Sequence, residues 1–485
     1  MTTPTLSEND RVERVRPRIV LVTLLTCQLM IVLDITVMNV ALPHIRTDLE
    51  FSATGLSWVM NSYTLVFGGL LLLGGRAGDL FGRRTMFIAG VVLFTVASLA
   101  GGLAPSAGWL LAARVLQGIG GAMAGPNTLA LLTTTFTEPK ARIRVLALFS
   151  GMSSAGFAIG LIVGGLLTEW FGWRSVLFIN VPFGLVIAML ALRYLPDLPR
   201  RAARLDLPGA VTATAGVAAL VYGFISAASH GWGAAGTDIW LAVGAALLAA
   251  FIAIELRAPQ PLLPLHLFAD RNRGAAYLNM FLGPMAGMSM FFFLTQYLQD
   301  VLGMSSLATG FAFLPTAVLM FTMIRLIPRL LARWGPKPVT LTGSVAMVIG
   351  LILLTRLSEN SGYFPLLFVA MVAMGCGIGL AFSPLNVIIM STVSPDEAGA
   401  AGGALQTMQQ TGGALGLAIL VTIFGTAARD AGGSPTHALV GGMTAAFAAA
   451  AVIAALTFLV ALTFRSVRSL TESEVRAAVP AREQT

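Results

Sequence analysis

Charge is what this sequence has least of. Only 11% of its 485 residues are Asp, Glu, Lys or Arg, against about a quarter in a soluble globular chain. Apolar residues make up 56%, and mean hydropathy is +0.83. That excludes a water-soluble domain and places the chain in a membrane. Cysteine is nearly absent: Cys27 and Cys376 lie in separate apolar stretches, so neither a disulfide framework nor a thiolate metal cluster is available. His44, His230, His266 and His437 are scattered, and no Gly-rich phosphate loop or ATPase cassette occurs. An enzyme, a resident cofactor and a metal site are therefore not expected. The charged start runs into a full-length apolar stretch rather than a short one followed by a small-residue cleavage site, so no cleaved signal peptide is expected.

What is present is apolar, in long runs. Residues 51–75, 85–113, 145–168, 274–299, 301–324, 338–355, 360–395 and 431–464 carry no charge. A spanning helix needs about 20 mostly apolar residues, and reading the runs at that length, divided at turn signals, yields about fourteen spans. They fall at 18–43, 53–75, 85–104, 109–135, 142–167, 174–195, 207–228, 236–256, 273–298, 305–331, 336–356, 363–390, 401–427 and 437–464. A count of twelve would follow if 207–256 were a re-entrant or surface pair, but both of its stretches are long enough to span. With the N-terminus inside, 25 of the 30 Lys and Arg are cytoplasmic; Arg46, Arg174, Arg356 and Arg429 fall outside and Arg114 within a helix. That asymmetry obeys the positive-inside rule and an even number of spans, with both termini cytoplasmic. The net charge of +8 is then a topology signal and an attraction to anionic lipid, not a nucleic-acid surface. Trp58, Trp109, Trp170, Trp173, Trp232 and Trp240 fall near outer ends, as an interfacial belt requires.

The chain also repeats itself. The stretch 75–84 between the second and third spans is echoed by 328–337 between the tenth and eleventh. Gly125-Pro126-Asn127 is echoed by Ser383-Pro384-Leu385-Asn386, and Gly156, Gly160 and Gly164 by Gly412 and Gly416. Parallel repeats describe a transporter whose halves rock about a site near the midplane. The expected organisation is a tail at 1–17, six-helix bundles at 18–195 and 273–464, and a tail at 465–485. Residues 196–272 between the bundles hold a Pro- and Arg-rich linker and two extra helices.

One acid lies deep in a span: Asp34, inside the otherwise uncharged run 19–41. A carboxylate there costs on the order of 3 kcal/mol on insertion scales, which makes it a functional candidate. It stands fifteen residues beyond Ile19, roughly 22 Å along the helix, in the outer half of a ~30 Å core. The fourth span enters from outside near Trp109, so Arg114 lies about 7 Å in, at a similar depth. The two can pair, each offsetting the other's desolvation, and Gln117 and Gly118 share the Arg114 face. Such a pair is either purely structural or the charge-changing element of a proton-coupled carrier.

Together these residues resemble the major facilitator superfamily, and within it the fourteen-helix drug:proton antiporter branch, over about 18–464. The loop with Gly75, Asp79, Gly82, Arg83 and Arg84 is similar to the superfamily signature Gly-x-x-x-Asp-x-x-Gly-Arg-Arg. Gly82 allows a tight turn, and Asp79 can lie against a helix N-terminus and pair with an arginine. The resemblance implies a latch for one access state; a charged loop that fixes topology is the plainer reading. The stretch 33–43, with Asp34 and Asn39, is similar to the branch's first-helix motif. Trp58-Val59 with Tyr63, and Trp173-Arg174 with Phe178, Asn180 and Pro182, match further signatures. The run 114–118 resembles the fourth-helix motif, whose arginine is implicated in proton transfer. Gly156, Gly160, Gly164 and Gly165 resemble the antiporter motif of the fifth helix, in which small residues let helices approach closely. Leu161 stands where that motif carries proline, which removes an expected kink.

Candidate cavity groups of the second half are neutral: Gln296, Asn386, Gln406, Gln409 and Gln410, with Phe291, Phe292 and Phe293. Asn39, Tyr63 and Gln117 join them from the first half. An aromatic, Met-rich lining of this kind favours apolar or amphipathic compounds. The expectation is a multi-pass protein of the bacterial plasma membrane, monomeric by default, that exports drug-like or antibiotic small molecules against protons. The proton gradient supplies the energy in place of a cofactor. Proton-coupled uptake and a non-transporting receptor or scaffold are the alternatives.

Overall fold

The computed structural model describes residues 17–136, 138–197, 206–259, 261–390, 393 and 397–465, and every regular element among them is helical. Both tails and linker residues 198–205 lie outside the described residues. In chain order the long helices are α1 (Pro17–Asp48), α2 (Ser57–Phe81), α3 (Arg83–Gly102), α4 (Ala107–Thr135), α5 (Pro139–Phe171), α6 (Ser175–Tyr194), α7 (Leu207–His230) and α8 (Ala235–Glu255). They continue as α9 (Arg271–Val301), α10 (Ser306–Ala312 and Leu314–Trp334), α11 (Pro336–Leu354), α12 (Tyr363–Met390), α13 (Ala398–Ala431) and α14 (Pro435–Leu462).

Twelve of the described helices are long and apolar enough to cross a membrane. The two left out are α4, which carries Arg114, Gln117, Asn127 and a run of threonines, and α5, whose apolar stretch is the shorter Ile159–Phe171. The pair α7 and α8 is among the twelve. Many large apolar side chains face outward, as a lipid-facing surface requires. Of these twelve, the most enclosed is α9, with 72% of its most apolar window buried, and the least is α8, with 11%.

The repeat is visible in the packing. In one set, α1 lies against α5 and α6, and α4 against α2 and α3; in the other, α9 lies against α13 and α14, and α12 against α10 and α11. The echoed glycines do the same work in both. A Cβ on Gly160 would collide with Thr36 of α1, its Cβ at 2.8 Å, and one on Gly164 with the Val37 Cα at 2.8 Å. Correspondingly, Gly412 and Gly416 of α13 sit against Phe281 and Met285 of α9. The echoed loops match as well: Gly82 (φ 102°) and Gly335 (φ 77°) each end one helix and start the next in a left-handed conformation that only glycine adopts freely. Helix α7 packs on both α2 and α13, bridging the two sets, while α8 packs on α7.

Candidate functional site

At the centre of the first set, Asp34 and Arg114 meet. The arginine Nη1 donates to Asp34 Oδ2 at 2.5 Å, and both side chains are wholly buried. The carboxylate's other oxygen accepts from Gln117 Nε2 at 3.0 Å and Asn180 Nδ2 at 2.9 Å. Arg114 also donates Nε to the Val59 carbonyl at 3.1 Å and Nη1 to Gln117 Oε1 at 3.0 Å. Gln117 Nε2 reaches Ser98 Oγ at 2.7 Å. The Tyr63 ring lies beneath the guanidinium, centroid 4.4 Å away, a favourable cation–π placement. Five helices, α1, α2, α3, α4 and α6, thus converge on one charge pair. Burying each ion costs several kcal/mol, recovered only where the remaining lone pairs and protons are also satisfied. Both Asp34 oxygens are satisfied; Arg114 Nη2 and the Tyr63 hydroxyl are buried without a partner.

Two members of this network were not among the candidate site residues. Asn180 stood only as part of a signature, and Ser98 not at all. The available signal was polarity in an apolar span, but which polar residue turns inward depends on helix rotation.

The loop residues gather at the end of the bundle where α1 begins and α14 stops. Arg83 Nη2 and Nε grip Asp79 Oδ1 at 2.8 and 3.1 Å across the Gly82 turn. Arg84 bonds Asp197 at 2.8 Å and the Leu192 carbonyl at 2.5 Å, tying the loop to the end of α6. Gly75 lies beside Pro126 of α4, and Asn127 donates to the Gly74 carbonyl at 3.1 Å. Of the fifth-helix glycines, Gly156, Gly160 and Gly164 face α1, whereas Gly165 faces the other set: its Cβ would lie 2.6 Å from the Ser306 carbonyl of α10.

The opposite end of the bundle holds the two sets together. Arg46 Nη2 meets Asp300 Oδ2 at 3.0 Å, Gln299 Nε2 donates to the Val40 carbonyl at 2.9 Å, and Ser306 Oγ lies 3.4 Å from His44 Nδ1. Phe157 meets Phe291 edge-on, centroids 4.9 Å apart. Of the neutral candidates, Tyr63 and Gln117 join the Asp34 site, and the others lie on α1, α9, α12 and α13. Asn39 and Gln296 are buried and bond their own helices, at Ile35 and Phe292. Asn386 is exposed and bonds Phe382. Gln406, Gln409 and Gln410 are half-buried on α13, with Gln409 3.6 Å from the Met280 sulfur. Phe292 and Phe293 are core residues. No group of three or more His, Cys, Asp or Glu able to hold a metal occurs among the described residues.

This arrangement can be set beside known proteins. The family model of the Major Facilitator Superfamily matches residues 24–417. The puromycin resistance protein pur8 of Streptomyces alboniger is 42% identical over 476 residues, covering 95% of this chain and 94% of that one. The cephamycin export protein CmcT of Amycolatopsis lactamdurans is 40% identical over 422 residues, 86% of each chain. Among solved structures, the POT family transporter PepTSo superposes with a TM-score of 0.66 over 93% of this chain and 99% of its own, at 13% identity, a likeness of fold alone. By the span of the family match and the identity of its relatives, this chain belongs to the Major Facilitator Superfamily, a multi-pass protein of the bacterial plasma membrane from a family of transporters rather than enzymes.

Proposed function

We propose that this protein exports antibiotic or drug-like small molecules by alternating access, in exchange for protons taken up at Asp34. The observation that carries the proposal is a wholly buried carboxylate held by three donors on two other helices. Taking up a proton would remove the carboxylate's charge and add an O–H donor, weakening all three contacts while Arg114 keeps its charge. A packed bundle answers such a local change with a discrete rearrangement. Resistance or export in the names of the relatives supports outward transport, although α5 runs through Leu161 without the expected proline.

In this reading α4 and α5 also span the bilayer, giving fourteen spans with both termini cytoplasmic. Residues 18–195 and 273–464 are the rocking bundles, and α7–α8 is the inserted pair. The Arg46–Asp300 end is then the outer gate, closed here, and the Asp79–Arg83 loop is the inner latch. The protein works as a monomer, with proton movement as its energy source. An apolar or amphipathic compound is the substrate class, because the aromatic and methionine side chains between the bundles offer it dispersion contacts.

Direction is tested in inverted vesicles from a pump-deficient host. With an acidic interior formed by respiration, they should accumulate puromycin or a similar amphipathic antibiotic. Accumulation only when the gradient is reversed establishes uptake instead, and absence of flux for a panel of such compounds removes the transport reading.

A further inference from the structure

The inserted pair carries two acids that the transport cycle does not use, and we infer that Asp206 and Glu255 together bind one proton, making the base of α7–α8 a second protonation site. Asp206 caps α7, its Oδ1 accepting from the Gly209 amide at 2.8 Å. Glu255 ends α8 and is 4% exposed, its Oε2 accepting from the Leu263 amide at 3.0 Å. The remaining oxygens, Asp206 Oδ2 and Glu255 Oε1, are buried and have no hydrogen-bond partner. Both face one small volume beside Gly209: a Cβ there would touch Asp206 Oδ2 and lie 3.0 Å from Glu255 Oε1.

Two buried acceptors bordering one small volume, each on an ionisable acid, favour one shared positive charge. No described cation provides it. Arg257, just past Glu255, is exposed and in no ion pair among the described residues. Arg271 is exposed, Arg273 donates to the Leu267 and His266 carbonyls, and His266 pairs with Glu397 at 2.6 Å. Asp270 accepts from the Arg273 amide. Residues 261–264 contribute no titratable group. Mg2+ or Ca2+ is a poor fit, because each takes six or more oxygens and only two converge. A proton needs one donor and one acceptor, which this pair becomes on binding it from solution. The site bears on the rest of the molecule, since Leu263 packs in the core cluster of α9, α12 and α13. Loss of the proton would set two carboxylates against each other where the inserted pair is tied to that cluster.

The test is infrared difference spectroscopy of the full-length protein in nanodiscs, following the protonated-carboxyl stretch across a pH titration. A band present at neutral pH should disappear in both Asp206→Asn and Glu255→Gln and persist in Asp34→Asn. Asp206→Asn keeps a helix cap of similar strength, so it remains informative if Glu255→Gln fails to fold. Thermal unfolding of the wild type should weaken more between neutral and alkaline pH than that of Asp206→Asn. A band unaffected by either substitution overturns the inference. So does a melting point raised by Na+, Mg2+ or Ca2+ in the wild type but not in Glu255→Gln, which would identify a metal ion. A band absent from the wild type and appearing only in Arg204→Ala would also overturn it, by showing that the linker arginine holds both carboxylates ionised.

Discussion

Replacing Asp34 by asparagine separates charge from shape at the central site. The carboxylate presents one oxygen to Arg114 at 2.5 Å and the other to Gln117 and Asn180 at 3.0 and 2.9 Å. An asparagine amide has one acceptor and one two-proton donor. With its oxygen toward Arg114, its nitrogen faces the amide donors of Gln117 and Asn180; reversed, it faces the guanidinium. Gln117 cannot turn over to help, because its oxygen is held by Arg114 and its nitrogen by Ser98. Either placement sets donor against donor and leaves Arg114 without a counter-charge. Removing one partner of a buried pair costs about 3–5 kcal/mol, a large share of the roughly 5–15 kcal/mol that holds a typical domain folded. Asp34→Asn should therefore melt at a markedly lower temperature and lose transport driven by a pH jump in proteoliposomes. Asp34→Asn with Arg114→Met, which removes both charges, should recover most of the melting temperature but none of the proton drive. Wild-type melting and wild-type gradient-driven flux in Asp34→Asn would refute the reasoning, as would a double variant less stable than the single.

Other outcomes follow from the same geometry. Asn180→Ala removes one of two donors on Asp34 Oδ1 and should cost about 1–3 kcal/mol in thermal unfolding, with the pH profile of transport displaced. Gly160→Ala pushes α5 off α1 against Thr36 and should cost about 1–3 kcal/mol; adding Thr36→Ala should return most of it, and no loss in the single variant would show that the two helices yield. Arg46→Glu or Asp300→Arg alone should free the end they hold, raising labelling of a cysteine placed between the bundles in a Cys27→Ser, Cys376→Ser background. The pair is partly exposed and worth about 1 kcal/mol at most, so a few-fold change is expected, and the two reversals combined should restore the original labelling.

Much of the architecture could be read from the chain. Long uncharged runs become helices because lipid leaves no other partner for backbone N–H and C=O groups. The boundaries moved: 18–43 became Pro17–Asp48, since Pro43 withholds only one donor and Asp48 is held by Trp173 and Arg174 at 2.8 and 2.6 Å. Equal depth brought Asp34 and Arg114 together on paper because helical rise is constant. Depth says nothing of rotation, however. Ser98 and the carboxylate contact of Asn180 therefore emerged only once five helices were packed.

Composition alone, through the scarcity of charge and the spacing of glycines and prolines, determined that this chain is helical, membrane-embedded and built on a repeat. These properties are local: each depends on a residue's own polarity and on neighbours within one helix. Tertiary structure decided which buried groups share a site and which ends of the two bundles touch. It joined Arg46 to Asp300 and turned Asp206 toward Glu255. Those contacts lie between distant parts of the chain and depend on helix rotation and crossing, which no periodicity along a single helix encodes.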